Sequence, residues 1–136
     1  MSKPLWQPSP ERSVSSRLAA FISSAENQWG VSLKSYKAAH RFSIEHPEKF
    51  WTSVWDFTNV IATSRGERVL INPSQMPGAQ FFPDAQLNYA ENLLRRRDET
   101  PAIFFRAEDQ IERQLTWREL YDEVSRLSQA MRNSGI

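Results

Sequence analysis

The chain has 136 residues, of which 40% are hydrophobic and 24% charged, with a net charge of +1 and no cysteine. This balance is typical of one ordinary globular domain and excludes an intrinsically disordered chain. The small net charge provides no global field that would attract nucleic acid or anionic lipid. The lack of cysteine excludes a disulfide framework, a thiol nucleophile and a cysteine-based zinc or iron–sulfur site.

The hydropathy pattern predicts no targeting or membrane segment. The N-terminal stretch MSKPLWQPSPERSV lacks the apolar core of a signal peptide. No run of about 18 apolar residues is present either, so we expect no membrane-spanning helix and no membrane partner. The composition is compatible with the cytosol, and we expect a cytoplasmic location.

Helical signals dominate the first sixty residues. After an extended arm over residues 1–9, the pair Ser9-Pro10 predicts a helix that runs to about Gly30. Ser35 predicts a second helix, which Pro47 ends, because the residue before a proline disfavours the α conformation. Pro47 then begins a third helix with a dense aromatic face. The apolar face of the first helix is predicted to comprise Val14, Leu18, Phe21, Ile22, Ala25 and Trp29.

Shorter elements are predicted after the third helix. The run Val69–Ile71 is compatible with a strand. The stretch FFPDAQLNYAENLL begins with a turn at Pro83-Asp84 and continues into a short helix. Four apolar residues of that helix are spaced to face a core: Leu87, Ala90, Leu93 and Leu94.

A β-hairpin and a helix are predicted for the last third. Ala102–Phe105 and Ile111–Leu115 have strand composition and flank a turn at Ala107–Gln110. Thr116 and Glu119 fit a capping box, in which each side chain satisfies a backbone N–H at the start of a helix. The buried face of this helix is predicted to comprise Leu120, Val124, Leu127 and Met131, and Gly135 its end.

The usual signatures of catalysis and phosphate binding are missing from the sequence. The two histidines, His40 and His46, are six residues apart with a helix break after the second, which is not a metal-ligand spacing. No serine lies in a G-x-S-x-G elbow, and no glycine-rich phosphate loop is present, since Gly66 stands alone in its loop. We therefore predict no catalytic, cofactor-binding or metal-binding residue in this chain.

Two clusters admit a functional and a structural interpretation. The run Arg95–Arg97 could hold a phosphate, but cations at a helix C-terminus also stabilise the helix dipole, and we favour that role. Aromatic side chains in the third helix could stack on bases, but acidic neighbours and few basic ones favour core packing. That set comprises Phe50, Trp51, Trp55 and Phe57.

Polar side chains in the short helix raise the same question. Asn88 and Asn92 are one helical turn apart, so both can point the same way, and Glu91 lies between them. A short helix between irregular segments has many unpaired backbone groups. Satisfying those groups is a simpler explanation for the amides than catalysis.

Three stretches together resemble a known family: YKAAHRFSIEHPEKFWTSVWDF, FFPDAQLNYAENLLRRRDETPAIFFRAED and QLTWRELYDEVSRLSQAMRNSGI. They resemble the N-terminal region of acetoacetyl-CoA synthetases, which are close kin to acetyl-CoA synthetases within the adenylate-forming acyl-CoA ligases. The resemblance covers about Leu5 to Ile136. One departure is Phe81, where the family often has tryptophan.

The resemblance implies a ligase that activates acetoacetate with ATP to an acyl-adenylate and then transfers the acyl group to CoA. ATP, Mg²⁺ and CoA are implied for the full-length family, whose phosphate loop, adenine pocket, ribose contact and lysine lie downstream of the matched segment. No cofactor is therefore expected in this chain. The expected fold is α+β, with an N-terminal region over residues 1–100 and the start of the large α/β domain over residues 101–136.

Two functional hypotheses follow. In the first, the chain is a structural segment, from a truncated reading frame or an excised fragment, whose partner is the remainder of the ligase large domain. In the second, it is a stand-alone interaction or regulatory module that pairs with itself or with a full-length synthetase, because the unpaired edges of an isolated hairpin promote association. Neither hypothesis includes a nucleic-acid partner.

Overall fold

A computed structural model describes residues 5–108 and 112–136 of the chain. The chain divides into two compact units, Met1–Leu87 and Asn88–Ile136. The described residues form six helices and two small antiparallel sheets, which confirms the predicted α+β class. The first four residues of the predicted arm and the end of the predicted turn, residues 109–110, lie outside the described residues. None of the described helices is long and apolar enough to cross a membrane.

The first predicted helix is in fact two helices, because a serine restarts the hydrogen-bonding pattern. Helix α1 spans Pro10–Val14 and helix α2 spans Arg17–Trp29. The hydroxyls of Ser9 and Ser16 each accept the backbone N–H three residues later, at 3.2 and 3.1 Å. Serine favours helix starts over helix interiors because its side chain competes for backbone hydrogen bonds.

The predicted apolar face of this segment is therefore wrong at its N-terminal end. Val14 belongs to the separate helix α1 and is 79% exposed, and Leu18 in the first turn of α2 is 48% exposed. Further along, Ala25 is fully buried, and Ile22 and Trp29 pack against the core. The break after α1 removes Val14 from the face that α2 buries.

The next two helices begin where the sequence predicts, and the first of them also ends there. Helix α3 spans Tyr36–Glu45, and the Ser35 hydroxyl accepts a backbone N–H at its start. Helix α4 spans Pro47–Thr58. His46 separates the two helices with φ −133°, because a residue that precedes a proline disfavours the α conformation.

The core of the first unit lies between α2, α3 and α4. Its buried members are Ala25, Leu33, Ala39 and Phe42, with Phe50 and other half-buried side chains around them. The backbone N–H of Leu33 donates to the Glu26 carboxylate at 2.5 Å, which fixes the connection between α2 and α3 over this core.

A chain of polar contacts joins α2 to α4 and to the loop that follows. The Trp29 indole N–H donates to the Ser53 hydroxyl at 2.7 Å, and that hydroxyl donates to the Gln28 side-chain oxygen at 3.0 Å. The Gln28 amide donates to Asp56 at 2.9 Å, and Arg65 donates to the other oxygen of Asp56 at 2.9 Å. Ser53 is only 3% exposed, so the hydroxyl is satisfied inside the unit.

A two-residue strand pair lies beyond α4. Strand β1, Leu70–Ile71, pairs antiparallel with strand β2, Gln80–Phe81. The run Val69–Ile71 thus contains a strand, as predicted, but its partner was not foreseen. Short strands such as β2 carry too few residues for an alternating pattern to be recognised.

The second unit begins with a short helix and a hairpin. Helix α5 spans Tyr89–Leu93. Strand β3, Pro101–Arg106, pairs antiparallel with strand β4, Glu112–Thr116, which confirms the predicted hairpin. Ile111, predicted to open the second strand, lies outside the described residues. The predicted core-facing side of α5 is wrong in part, because Leu94 is buried while Leu87 and Leu93 are nearly half exposed.

Helix α6, Trp117–Asn133, is the last helix of the described residues, and both of its termini are capped. The Thr116 hydroxyl accepts the Glu119 N–H at 3.2 Å, and the Glu119 carboxylate accepts the Thr116 N–H at 2.8 Å, which confirms the predicted capping box. At the other end, the Ile136 N–H donates to the Met131 carbonyl at 3.0 Å, and Gly135 has φ +81°. That left-handed conformation favours glycine and ends the helix.

Candidate functional site

The amides of α5 stabilise the backbone of the helix. The Asn88 side-chain oxygen accepts the Glu91 N–H at 3.2 Å and so caps the helix N-terminus. The Asn92 amide donates to the Asn88 carbonyl at 2.9 Å. Arg95 donates to the carbonyl oxygen of Asn92 at 2.9 Å and to its side-chain oxygen at 3.0 Å. These contacts give each of the two amides a structural role in holding one turn of helix.

The turn that precedes α5 is held by an ion pair. Two guanidinium nitrogens of Arg68 contact the two carboxylate oxygens of Asp84, and the Nε–Oδ2 distance is 2.8 Å. The hydrogen bonds from Arg68 lower the pKa of Asp84, and those same contacts raise the pKa of Arg68. Gly66 packs so closely against Asp84 that a Cβ atom would collide with it.

The three consecutive arginines each contact different partners and do not converge on one site. Arg95 is bonded to Asn92, as described above. Arg96 donates to Asp98 at 3.0 Å and to Thr100 at 2.8 Å, and its guanidinium lies over the Trp117 ring. Arg97 lies over the Tyr121 ring, 3.9 Å from its centre. This dispersion favours the structural interpretation of the run over a phosphate grip.

Asp98 organises the start of the hairpin. Its carboxylate accepts from the hydroxyl and the backbone N–H of Thr100, and these bonds, with a smaller contribution from Arg96, lower the pKa of Asp98. The carbonyl oxygens of Asp98 and Thr100 accept the first two N–H groups of α6 at 3.1 Å. The segment before β3 therefore fixes the N-terminus of α6 as well.

The aromatic set of α4 packs against neighbouring rings. Phe50 makes an edge contact with Phe21 of α2 at 5.6 Å between ring centres. Trp51 contacts Phe81 at 5.2 Å, and Trp55 contacts Phe82 at 4.6 Å. Phe57 also packs against Phe21, at 5.4 Å. The rings hold the first unit together, as the packing interpretation predicts.

The two histidines lie on the surface of the first unit with aromatic neighbours. His40 stacks on Tyr36 one turn earlier, and His46 packs against the Phe42 ring. Among residues 5–108 and 112–136, no group of three or more histidine, aspartate or glutamate side chains is arranged to hold a metal ion.

The predicted buried face of α6 is wrong, and its exposure is the most distinctive surface feature of the second unit. Val124, Leu127 and Met131 are 38%, 62% and 43% exposed, and only Leu120 of the predicted face is half-buried. We call Val124, Leu127, Met131 and Ile136 the α6 stripe; they line a shallow groove of about 290 Å³. The helical spacing of these residues is as predicted, but the described residues leave this part of the face exposed.

The hairpin exposes further apolar surface in the same unit. Ile103, Phe104 and Phe105 are 42%, 74% and 54% exposed, although they occupy the middle of β3. Side chains of successive strand residues point to opposite faces of a sheet, so both faces of the hairpin carry exposed apolar groups. The second unit thus exposes apolar side chains both on its hairpin and on α6.

Some structurally important residues were not recognised from the sequence. The polar set of Gln28, Ser53, Asp56 and Arg65 is brought together from two helices and a loop. The Arg68–Asp84 pair joins residues sixteen positions apart. Neither group has a local spacing that sequence patterns could detect, because the pairing depends on how α2, α4 and the turn pack.

A family model described as the acetyl-coenzyme A synthetase N-terminus matches residues 36–93. The acetoacetyl-coenzyme A synthetase of Rhizobium meliloti is 44% identical over 98% of this chain, and the match covers 20% of that protein. The solved structure of acetoacetyl-CoA synthetase from Streptomyces lividans superposes with a TM-score of 0.86, at 36% identity over 99% of this chain and 21% of its own. The chain thus matches the N-terminal segment of acetyl-CoA synthetase-like enzymes in sequence and in fold.

The chain spans about a fifth of the length of the curated relatives it matches. One of these relatives, the malonamoyl-CoA synthetase of Penicillium aethiopicum, is 30% identical over 94% of this chain. The matched family region, residues 36–93, contains α3 to α5 with the aromatic set and the asparagine cap of α5. The expected boundary between residues 100 and 101 stays a prediction.

Proposed function

We propose that this chain is the N-terminal structural segment of an ATP-dependent acetoacetate–CoA ligase. The reaction of the whole enzyme would convert acetoacetate, ATP and CoA to acetoacetyl-CoA, AMP and pyrophosphate. The observation that carries the proposal is the match to acetoacetyl-CoA synthetases over almost the whole chain, at 44% and 36% identity. The activity belongs to the assembled enzyme, and this segment contributes folded surface to it.

The described side chains support a structural role. The amides of α5, the arginines that follow it and the aromatic set of α4 all bond or pack within their own units. ATP, Mg²⁺ and CoA would bind to the remainder of the ligase, which is the proposed partner of this segment. A cytoplasmic location belongs to the same proposal.

Acetoacetate is the proposed acyl substrate, with malonamate-like acids as the alternative. The Penicillium aethiopicum relative is a malonamoyl-CoA synthetase and the Rhizobium meliloti relative an acetoacetyl-coenzyme A synthetase, and this segment matches both. The segment is thus compatible with more than one short acyl group. The higher identity to the acetoacetyl-CoA synthetases of Rhizobium meliloti and Streptomyces lividans favours acetoacetate.

A chimera tests the proposal. The matching N-terminal fifth of the Streptomyces lividans synthetase is replaced by this chain, and acetoacetate-dependent ATP–pyrophosphate exchange is measured. We expect exchange in the chimera and background exchange from this chain alone. A folded chimera without exchange would contradict the proposal, as would exchange catalysed by the 136-residue chain itself.

A second candidate function is that of a stand-alone interaction module. The observation that favours it is the exposed apolar surface of the hairpin and α6. Both edges of a two-stranded sheet are also open to pairing. This module would bind a second copy or a full-length synthetase. Sedimentation of the purified chain tests it, since a concentration-independent monomer that binds no synthetase would exclude this role.

A further inference from the structure

The α6 stripe is built before any partner binds. The first two N–H groups of α6 are held by the carbonyls of Asp98 and Thr100, and Arg118 forms an ion pair with Glu99. The capping box closes the same end, and the Met131 carbonyl accepts the N–H of Ile136 at the other. A surface that is already ordered loses little conformational entropy on binding.

The stripe is too small to hold a second copy by itself. Stable protein–protein contacts bury roughly 800 Å² on each partner. The stripe has four aliphatic side chains, and Val124 and Met131 are already more than half covered. A partner that binds stably at the stripe must therefore cover other apolar surface of the unit too.

The remainder of the synthetase is large enough to cover both the stripe and other apolar surface of the unit. The solved relative superposes on 99% of this chain, and the chain accounts for 21% of that relative. Some four-fifths of the relative's residues therefore lie outside the superposed part and can supply apolar surface for the stripe and the hairpin. The charged flank of the stripe does not oppose this contact, because Glu123 pairs with Arg126 at 2.7 Å.

We propose that the α6 stripe is a docking face for the remainder of the ligase, and that it holds the two parts together without a covalent link between them. The proposal rests on the proposed function, because it takes its occupant from it. The occupant offers an apolar protein surface without a charge facing Leu127, the most exposed of the three stripe residues within α6.

The test uses the chimera with a protease site inserted directly after Ile136, so that both parts fold before they are cut. After cleavage, we expect the two pieces to co-elute as a 1:1 complex and to retain exchange activity. Leu127→Glu places a charge in the apolar contact and should weaken the association of the cut pieces by at least about tenfold. Gln129→Glu, on the opposite side of α6, should leave the complex intact.

The outcomes separate the two proposals. An uncut chimera that folds but is inactive overturns the proposed function, and the docking proposal with it. An active uncut chimera whose wild-type pieces separate after cleavage overturns the docking proposal alone. If Leu127→Glu prevents folding of the uncut chimera, the milder Met131→Ala variant replaces it, and unchanged association in that variant counts against the proposal.

A second copy is the competing occupant. Sedimentation of the isolated chain should give a monomer, and no species whose dissociation depends on Leu127. A dimer that Leu127→Glu dissociates and Gln129→Glu does not would assign the stripe to self-association and overturn the docking proposal.

Discussion

The indole N–H of Trp29 on α2 donates a 2.7 Å hydrogen bond to the hydroxyl of Ser53 on α4. The same hydroxyl donates to Gln28 and contacts the Lys49 carbonyl, so one buried serine joins two helices. Such a contact adds direction to a core that apolar packing alone would leave less specific, because hydrogen bonds require a defined geometry.

Replacing that serine should destabilise the first unit. Ser53→Ala leaves the half-buried Trp29 N–H without its acceptor, which should lower the free energy of unfolding by about 1–3 kcal/mol. Denaturant titration followed by tryptophan fluorescence measures the change. Ser15→Ala, at an exposed serine between α1 and α2, serves as the control and should change the midpoint little.

The close approach of Gly66 to Asp84 predicts an unequal effect of two alanine substitutions. Gly66 and Gly30 both have positive φ, but only a Cβ atom at Gly66 would meet another residue. Gly30→Ala should cost about 1–2 kcal/mol, from backbone conformation alone. Gly66→Ala should cost roughly 1–3 kcal/mol more, from the collision. Equal thermal shifts for the two variants would mean that the turn relaxes freely.

The ion pair of the turn predicts a loss of stability in acid. The pKa of Asp84 is lowered in the folded chain, mainly by hydrogen bonds from Arg68. The unfolded chain therefore takes up the proton at a higher pH than the folded chain does. This contribution is fully present above the pKa of an unfolded aspartate, about 4, and is lost as the pH falls through the lower folded value.

Denaturant midpoints measured between neutral pH and the acid range test this dependence. Asp84→Asn and Arg68→Gln should each reduce the acid-induced loss, because either change removes the contact that lowers the pKa. Asp98 and Glu119 have lowered pKa values for other reasons, so part of the slope should remain in both variants. Slopes identical to that of the unchanged chain would contradict the assignment to this pair.

The hydrogen bonds of the Asn92 side chain in α5 predict that its substitution lowers stability without changing catalysis. Asn92→Leu removes a hydrogen bond to the Asn88 carbonyl and an acceptor for Arg95, and should lower the free energy of unfolding by about 1–2 kcal/mol. In the chimera, exchange activity per folded molecule should not change. Asn27→Leu, at an exposed site on α2, is the matched control. Loss of exchange at an unchanged melting temperature would show that Asn92 acts in the reaction.

The sequence predicted those elements whose signals are local. Ser35, Pro47 and Thr116 mark helix starts because a cap or a fixed φ acts within a few residues. The second start at Ser16 was missed, since the apolar spacing continued across it. Strand β2 was missed because two residues give no periodicity.

The parts of the surface that depend on packing could not be predicted in this way. The spacing of Val124, Leu127 and Met131 shows that one side of α6 is apolar, but not whether residues of this chain cover it. The roles of Asn88 and Asn92 were predictable because a short helix needs partners for its backbone groups. The Arg68–Asp84 pair depends on a fold that brings distant residues together.

The polar chain from Trp29 to Arg65 also constrains how this segment can change over evolutionary time. Gln28, Ser53 and Asp56 each bond to two or more partners in this chain of contacts. A substitution at one position therefore leaves a hydrogen-bond donor or acceptor unpaired at another. These three positions should therefore vary together among related sequences, so that one set of three polar residues is replaced by another compatible set. Neighbouring residues on the outer surface of α2 and α4 can be substituted independently of one another.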